Sequence, residues 1–491
     1  MIRGLSLVWQ FVGPIAFLLV MLLFSPFSQR FEFDTDEGIN LMKAMLVAEG
    51  HPLYEEVWND QPPLFTYALV IAFRVFGSNV SVGRVFVLIL SCLLLWGSWR
   101  FLQIVGGNIY AFAGVFFIVL LPHYSQLSIS VMVGLPALAL AMVSLLSLAI
   151  WHERRTDTWL VISAITLSLS VLIKIFTGFL ALIFILGITI TELSRPKKVA
   201  WRKQLRPVIL WALAFVSVTI ALGLLLIGSH NLSQLLETHL AAREAPIFPG
   251  NAEYFSINSV LHNTQPTMFL ALLGSLLVIR YQRWLVLYLI AWSGIAYLLL
   301  SYHFPVWYHH SLLMTIPAAM LAACTLGEVG HWLKDFYLSR NVSIGRGLIM
   351  VIVTIGAILI VTSQVSSIRK LLSIRSLFID SRVPVSSPQY QLVDNMIQHA
   401  PQTQWVITDQ PMYAFRANLL VPPHLAVISR KRIVTGNLTE QEILNSIRKW
   451  EPEQVFLTRF EWPLIENYLE ENYRVVFSYS EKKLYLRNDL E

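Results

Sequence analysis

Long apolar runs recur along this chain and leave it few folds to choose from. The first, SLVWQFVGPIAFLLVMLLF from Ser6 to Phe24, is about the length a helix needs to cross ~30 Å of hydrocarbon. It leads into SPFSQRFEFD without a small-residue cleavage site, so it is expected to remain as a span and not to be removed as a signal peptide. Further runs lie near residues 83–104, 108–127, 131–151, 157–173, 175–191, 207–228, 266–280, 284–301, 310–327 and 347–365, which makes about eleven transmembrane helices. A stretch from Pro62 to Phe76 is apolar but short, and is expected along the membrane surface. Only 13% of residues are charged, against roughly 25% in soluble domains, so the fold class expected is a polytopic α-helical membrane protein. Cys92 and Cys324 fall in apolar runs and offer neither a disulfide framework nor a metal-site spacing.

Basic residues fix the expected orientation. With a cytoplasmic N-terminus, alternate connections carry Arg154 and Arg155, then Arg195, Lys197, Lys198, Arg202, Lys203 and Arg206, then Arg280 and Arg283, then Lys334, Arg340 and Arg346. The opposite loops carry far fewer, and positive loops stay inside. Loops 25–79 and 229–265, and everything after about Gln364, are therefore expected outside the cytoplasm in a multi-pass plasma-membrane protein. The basic stretch SRPKKVAWRKQLR fits topology and contact with anionic membrane lipids, not nucleic acid. After residue 365 the pattern changes: QWVITDQ, LAVISRKRIV, EQVFLTRF and YRVVFSYSEKKLYLR read as β runs. TEQEILNSIRKW, opened by a Thr439 cap, and WPLIENYLEEN read as helices between them. The division expected is a membrane domain over 1–365 and a small extracytoplasmic α/β domain over 366–491.

The first outer loop holds an acidic cluster. FDTDEGIN, Phe33 to Asn40, follows the first span closely and, with Glu32 just before it, gathers Glu32, Asp34, Asp36 and Glu37 within six positions, with Glu49, Glu55, Glu56 and Asp60 further on. The last three glutamates read as a solvated face. Asp36 and Glu37 stand where EGINLMKAMLVAEG turns helical, with Ile39, Met42, Met45 and Leu46 at helical spacing. A cap by Asp36 is the plain structural explanation; a carboxylate held at the lipid boundary is otherwise expensive and points to function.

The segment DTDEGINLMKAMLVAEGHPLYEEVWNDQPPLFTYAL resembles the first external loop of the GT-C-type membrane glycosyltransferases, the superfamily of the protein O-mannosyltransferases and the lipid A aminoarabinose transferase. The shared pattern is an Asp-Glu pair, a helix, a Gly-x-Pro-Tyr-like turn and an aromatic-polar stretch ending in Lys-Pro-Pro; here these are Asp36 and Glu37, GHPLYEEV and WNDQPP. Arg84 at the next span, LIKIFTGF around Lys174, and FPVWYHHSLLMTIPAAM with Tyr308 and Pro317 extend the likeness along most of the chain. Two positions depart from it. Gln61 stands where the family has the lysine of Lys-Pro-Pro, and Gly134 stands where relatives often have an acidic residue two before a proline.

The resemblance implies a GT-C-like fold and transfer of a sugar, hexosyl or pentosyl, from a polyprenyl-phosphate donor to a hydroxyl of a lipid, glycan or protein acceptor outside the membrane. Such a donor carries a good leaving group, so the chemistry needs a base for the acceptor and positive charge for the departing phosphate. By resemblance Asp36 is the base, and Glu37 or Asp60 orients it or helps hold a cation; the cofactor is left open, with a divalent cation as the candidate. Lys174 and Arg243 are the expected phosphate partners, against snorkelling and solvated alternatives. Tyr54 and Tyr308, with Trp58 and Trp307, are expected to contact the sugar or prenyl chain or to form an interfacial belt. His309 and His310 are adjacent and cannot both point one way on a helix, which argues against zinc there with His303. A transporter of a lipid-linked or anionic solute is the competing class, but no repeated halves are present. A polysaccharide polymerase or ligase of the same fold, or a membrane-anchored non-catalytic module, are further alternatives.

Overall fold

The computed structural model describes residues 2–25, 27–194, 201–228, 231, 234–235, 256–279, 283–303, 306–339 and 387–490. Its membrane part is helical: α1 (Ile2–Phe24), α2 (Thr35–Ala48), α3 (Leu64–Phe76), α4 (Val80–Gly106), α5 (Asn108–Leu120), α6 (Tyr124–Leu127), α7 (Gly134–Arg154), α8 (Asp157–Val171), α9 (Phe179–Leu193), α10 (Trp201–Ile227), α11 (Ile257–Val278), α12 (Arg283–Tyr302) and α13 (Leu312–Ser339). Each expected span from 6–24 to 310–327 has a helix; the one at 347–365 lies outside the described residues. Among the described residues six helices are long and apolar enough to cross a bilayer alone. The short stretch after Pro62 is the 13-residue α3, too short to span by itself.

The span windows differ sharply in burial. In α13 94% of the apolar window is inside the protein, whereas in α10 only 6% is; an apolar helix with no protein cover faces lipid. Gly274 lets α11 cross α13 at backbone distance, since a Cβ there would lie 2.0 Å from Leu321 O, the close approach that small residues permit in membranes.

The C-terminal α/β domain has α14 (Pro388–Gln398), β1 (Val406–Thr408), α15 (Pro411–Arg416), α16 (Arg430–Val434), α17 (Glu440–Trp450), β2 (Gln454–Phe456), α18 (Pro463–Asn472), β3 (Tyr473–Tyr479) and β4 (Lys482–Arg487). The sheet order is β1-β2-β4-β3, with β1 and β2 parallel and the rest antiparallel. α17 opens on a full capping box, Thr439 with Glu442. LAVISRKRIV, Leu425 to Val434, expected as a strand, instead ends a 3₁₀ turn (Pro423–Leu425), runs irregularly over 426–429 and then forms α16. Pro422 and Pro423 lack the N–H a ladder needs, and the Ser429 side chain starts the helix by accepting from Arg432 N.

One hydrophobic cluster fills the membrane bundle. A second joins Phe31, Leu41, Met42, Phe65 and Leu69 of the acidic loop and its helices to Met412, Tyr413 and Phe415 of the C-terminal domain. The loop and the domain therefore share a core.

Candidate active site

The site is built on the first turn of α2. Asp34, not Asp36, caps this helix: its Oδ1 accepts from Asp36 N at 2.9 Å, while its Oδ2 accepts from Tyr308 Oη at 2.7 Å. Successive helical residues point about 100° apart, and Asp36 and Glu37 separate accordingly. Glu37 is fully buried and meets Arg84 through two bonds, at 2.9 and 2.8 Å. It also accepts from Phe33 N and Val131 N. Arg84 spends its remaining reach on the Phe27 and Arg30 carbonyls and stacks on Phe33, 4.7 Å from the ring centre. A bidentate arginine–carboxylate pair with no solvent around it is a fixed brace. It ties the loop, α2 and α4 together, and Asn40 adds a bond to Val131 O at 3.0 Å.

Asp36 is exposed, yet protein surrounds it so closely that burial is the main cause raising its carboxyl to about 6, with the negative charge of Asp34 adding to the rise. An accessible carboxylate in such surroundings lies in a recess. Glu32 is raised to about 7, first by burial and then by Glu37. The cations acting on Asp36 come from three directions: Lys43 on α2 itself, Arg459 of the C-terminal domain, and Lys174, which feels the Asp36 charge in turn. Lys174 sits in the break between α8 and the 3₁₀ turn Ile175–Gly178, with its ammonium 5.6 Å from the Phe176 ring centre. A Cβ on Gly134 would lie 3.7 Å from Lys174 Nζ, so the position that departs from the family pattern is the wall beside this lysine.

Asp36, Lys174 and Tyr308 thus come together. Tyr54 does not join them: it is buried in its own turn at φ 73, its hydroxyl donating to Gln61 O at 2.6 Å. Asp60, expected near substrate or a cation, is engaged by Lys431 at 3.0 Å. A cation therefore stands beside Gln61 after all, delivered from the C-terminal domain. Among the described residues no three His, Cys, Asp or Glu side chains converge as a metal site requires. His310 packs edge to face with His303, His309 and Phe176, and His303 meets Phe176 in the same way. Arg243 lies outside the described residues.

Three participants were missed in the sequence. Lys43, nearly fully buried and bonded to Asn59 Oδ1 at 2.9 Å, stands seven residues after Asp36, two helical turns on the same face; that signal was there to be read. Lys431 and Arg459 come from a domain some four hundred residues away, and nothing local announces them.

The family described as dolichyl-phosphate-mannose-protein mannosyltransferase matches residues 60–221. No curated protein sequence matches the chain. The structure of ArnT from Cupriavidus metallidurans bound to undecaprenyl phosphate is similar with a TM-score of 0.64 at 12% identity, over 98% of this chain and 96% of that one. The archaeal oligosaccharyltransferase AglB from Archaeoglobus fulgidus, in complex with an inhibitory peptide and a dolichol-phosphate, is similar at 0.54 and 13%, over 98% of this chain and 74% of that one.

Proposed function

We propose that this chain, a polytopic membrane protein of the GT-C fold, is a glycosyltransferase that moves a sugar from a polyprenyl-phosphate carrier to an acceptor hydroxyl on the extracytoplasmic side. The observation that carries the reading is the convergence of the first turn of α2, where Tyr308 bonds Asp34 at 2.7 Å, with Lys174, whose Nζ and the His309 carbonyl flank Gly134 and which feels the Asp36 charge. The two solved relatives, which hold undecaprenyl phosphate and dolichol-phosphate respectively, support a lipid phosphate as the donor's carrier. The distribution of Lys and Arg supports the outward face.

In this mechanism Asp36 takes the proton of the acceptor hydroxyl as its oxygen attacks the anomeric carbon. The bond from that carbon to the phosphate oxygen breaks, and the electron pair leaves with the phosphate, whose charge needs no proton. Lys174, beside Gly134, stabilises that phosphate. Glu37 acts at a distance, as the brace that holds α2 against Arg84. Tyr308 fixes Asp34 and so the first turn of α2.

The test is transfer of label from polyprenyl-phosphate sugars to acceptors in membranes. Asp36→Asn is expected to lower transfer by about 10²–10⁴-fold while the protein stays folded. Glu49→Gln, at an exposed position at the end of α2, is expected to transfer like the wild type. Equal activity of Asp36→Asn and wild type sinks the assignment of the base, and label moved from a nucleotide sugar without a polyprenyl carrier sinks the mechanism.

A further inference from the structure

Two arginines from different domains meet on one carbonyl. Arg84 of α4 donates through Nη1 to Arg30 O at 3.0 Å, and Arg416, which ends α15, donates through Nη2 to the same oxygen at 2.8 Å. A carbonyl oxygen has two lone pairs and accepts both. Arg416 also bonds the next carbonyl, Phe31 O, from Nε at 3.1 Å and from Nη2 at 2.7 Å. Its guanidinium lies 5.0 Å from the Phe31 ring centre and 5.4 Å from that of Tyr390, so aromatic faces hold the fork as well as its bonds do. The helix that Arg416 ends is itself seated on α2: a Cβ on Gly38 would lie 2.6 Å from Met412 N.

From the shared carbonyl the contacts run inward without a gap. Arg84 gives its other donors to Glu37, at 2.9 and 2.8 Å. Glu37 accepts in turn from Phe33 N at 3.0 Å and from Val131 N at 3.3 Å, and Asp36 is its neighbour in the first turn of α2. Residues 30–33 lead directly into Asp34, the cap that holds Asp36 N. Arg84 and Glu37 are fully buried, so no water replaces a bond that weakens between them, and close packing passes a shift along instead of absorbing it. Displacing the Arg30 carbonyl therefore displaces Arg84, Glu37 and the turn that carries Asp36.

We propose that Arg416 is a positioning residue for the transfer step: a side chain of the C-terminal domain that sets the first turn of α2, and with it Asp36, through the Arg30 carbonyl and the Arg84–Glu37 pair. The role rests on the reading of Asp36 as the base. Another residue of the same domain separates this role from simple docking. Tyr390 of α14 donates to Ser28 O and Gln29 O at 3.1 and 3.2 Å. It ties the same loop to the same domain, but at carbonyls other than the two that Arg84 holds, those of Phe27 and Arg30. If the loop only has to be docked, losing either tie has the same effect; if the bonded chain of groups sets the turn, only the loss of Arg416 is felt at Val131 and Asp36.

The experiment uses the full chain in detergent. Hydrogen–deuterium exchange resolved to single amides reads Val131 N, whose bond to Glu37 is the far end of the chain of contacts, without requiring turnover. Arg416→Gln is expected to speed exchange there by about tenfold, the effect of weakening a bond to a charged group, and Tyr390→Phe to leave it within about twofold of the wild type. In transfer assays Arg416→Gln is expected to lower kcat by about 10–100-fold with the half-saturating donor concentration within about twofold of the wild type, because a misplaced base costs rate and not binding. Tyr390→Phe is expected to transfer like the wild type. Arg416→Lys keeps the charge and loses the planar fork; should Arg416→Gln fail to fold, it carries the test, with exchange at Val131 expected to be about threefold faster. Unmoved exchange at Val131 in the folded variant overturns the proposal. So does Tyr390→Phe matching that variant in both readouts, or a loss of transfer that lies in the donor requirement and not in kcat, or an unchanged kcat. Faster exchange in a protein whose wild type transfers no sugar, or whose Asp36→Asn variant is as active as the wild type, overturns the reading of Asp36 instead, and the part of Arg416 in transfer with it.

Discussion

Adjacent residues carry opposite burdens in the first turn of α2. Glu37 is sealed against Arg84 and holds structure, while Asp36 faces the recess with its carboxyl raised to about 6, chiefly by burial. A base must be ionised to act, so transfer is expected to be near full strength above about pH 7, to reach half its maximum near 6, and to fall about tenfold per unit below about 5; a pH profile of donor consumption checks this. Gly134 allows a second residue-scale test. A Cβ on Gly134 would meet Lys174 Nζ at ordinary contact distance without a clash, so the carboxylate of Gly134→Glu is expected to pair with the lysine. Losing a charge-assisted contact to phosphate should raise the donor concentration needed for half-maximal transfer by about tenfold or more; an unchanged donor dependence would remove Lys174 from the phosphate site. The acidic cluster that holds Asp36 was legible locally, but the burial of Glu37 was not, because Arg84 is 47 residues away and helical spacing alone does not say which of two neighbours turns inward.

α2 itself is short, 14 residues, and marginal on its own. It persists because it is clasped on several sides: by α3, by Val131 through Glu37 and Asn40, and by α15 at Gly38. Gly38→Ala forces a methyl to within 2.6 Å of Met412 N, and overpacking of this kind costs about 1–3 kcal/mol. The expected result is a C-terminal domain that becomes sensitive to protease while the membrane helices keep their thermal transition, together with reduced transfer. Elements whose identity comes from local chemistry were readable, as with the capping box at Thr439 and the apolar spans. LAVISRKRIV was misread because its β-branched residues outvoted the two prolines just before it, Pro422 and Pro423, and the Ser429 cap within it.

At the scale of the molecule, the spans were legible because hydrocarbon demands apolar length from each helix separately. The docking of the C-terminal domain was not, since it depends on individual contacts such as Lys431 with Asp60 and Arg432 over Trp58 at 4.2 Å. The orientation can be tested with single cysteines at exposed positions. Glu461→Cys, in the C-terminal domain, is expected to react with a membrane-impermeant maleimide in intact cells, and Thr156→Cys, between α7 and α8, only after permeabilisation; the reverse pattern would invert the topology and remove the extracytoplasmic site.

The bonds from Arg416 to Phe31 join residues 385 positions apart. A ribosome delivers the acidic loop first and its clasp last, so during synthesis the loop must wait without the core it will share. On the proposed mechanism, a product truncated before Arg416 is therefore expected to reach the membrane without activity.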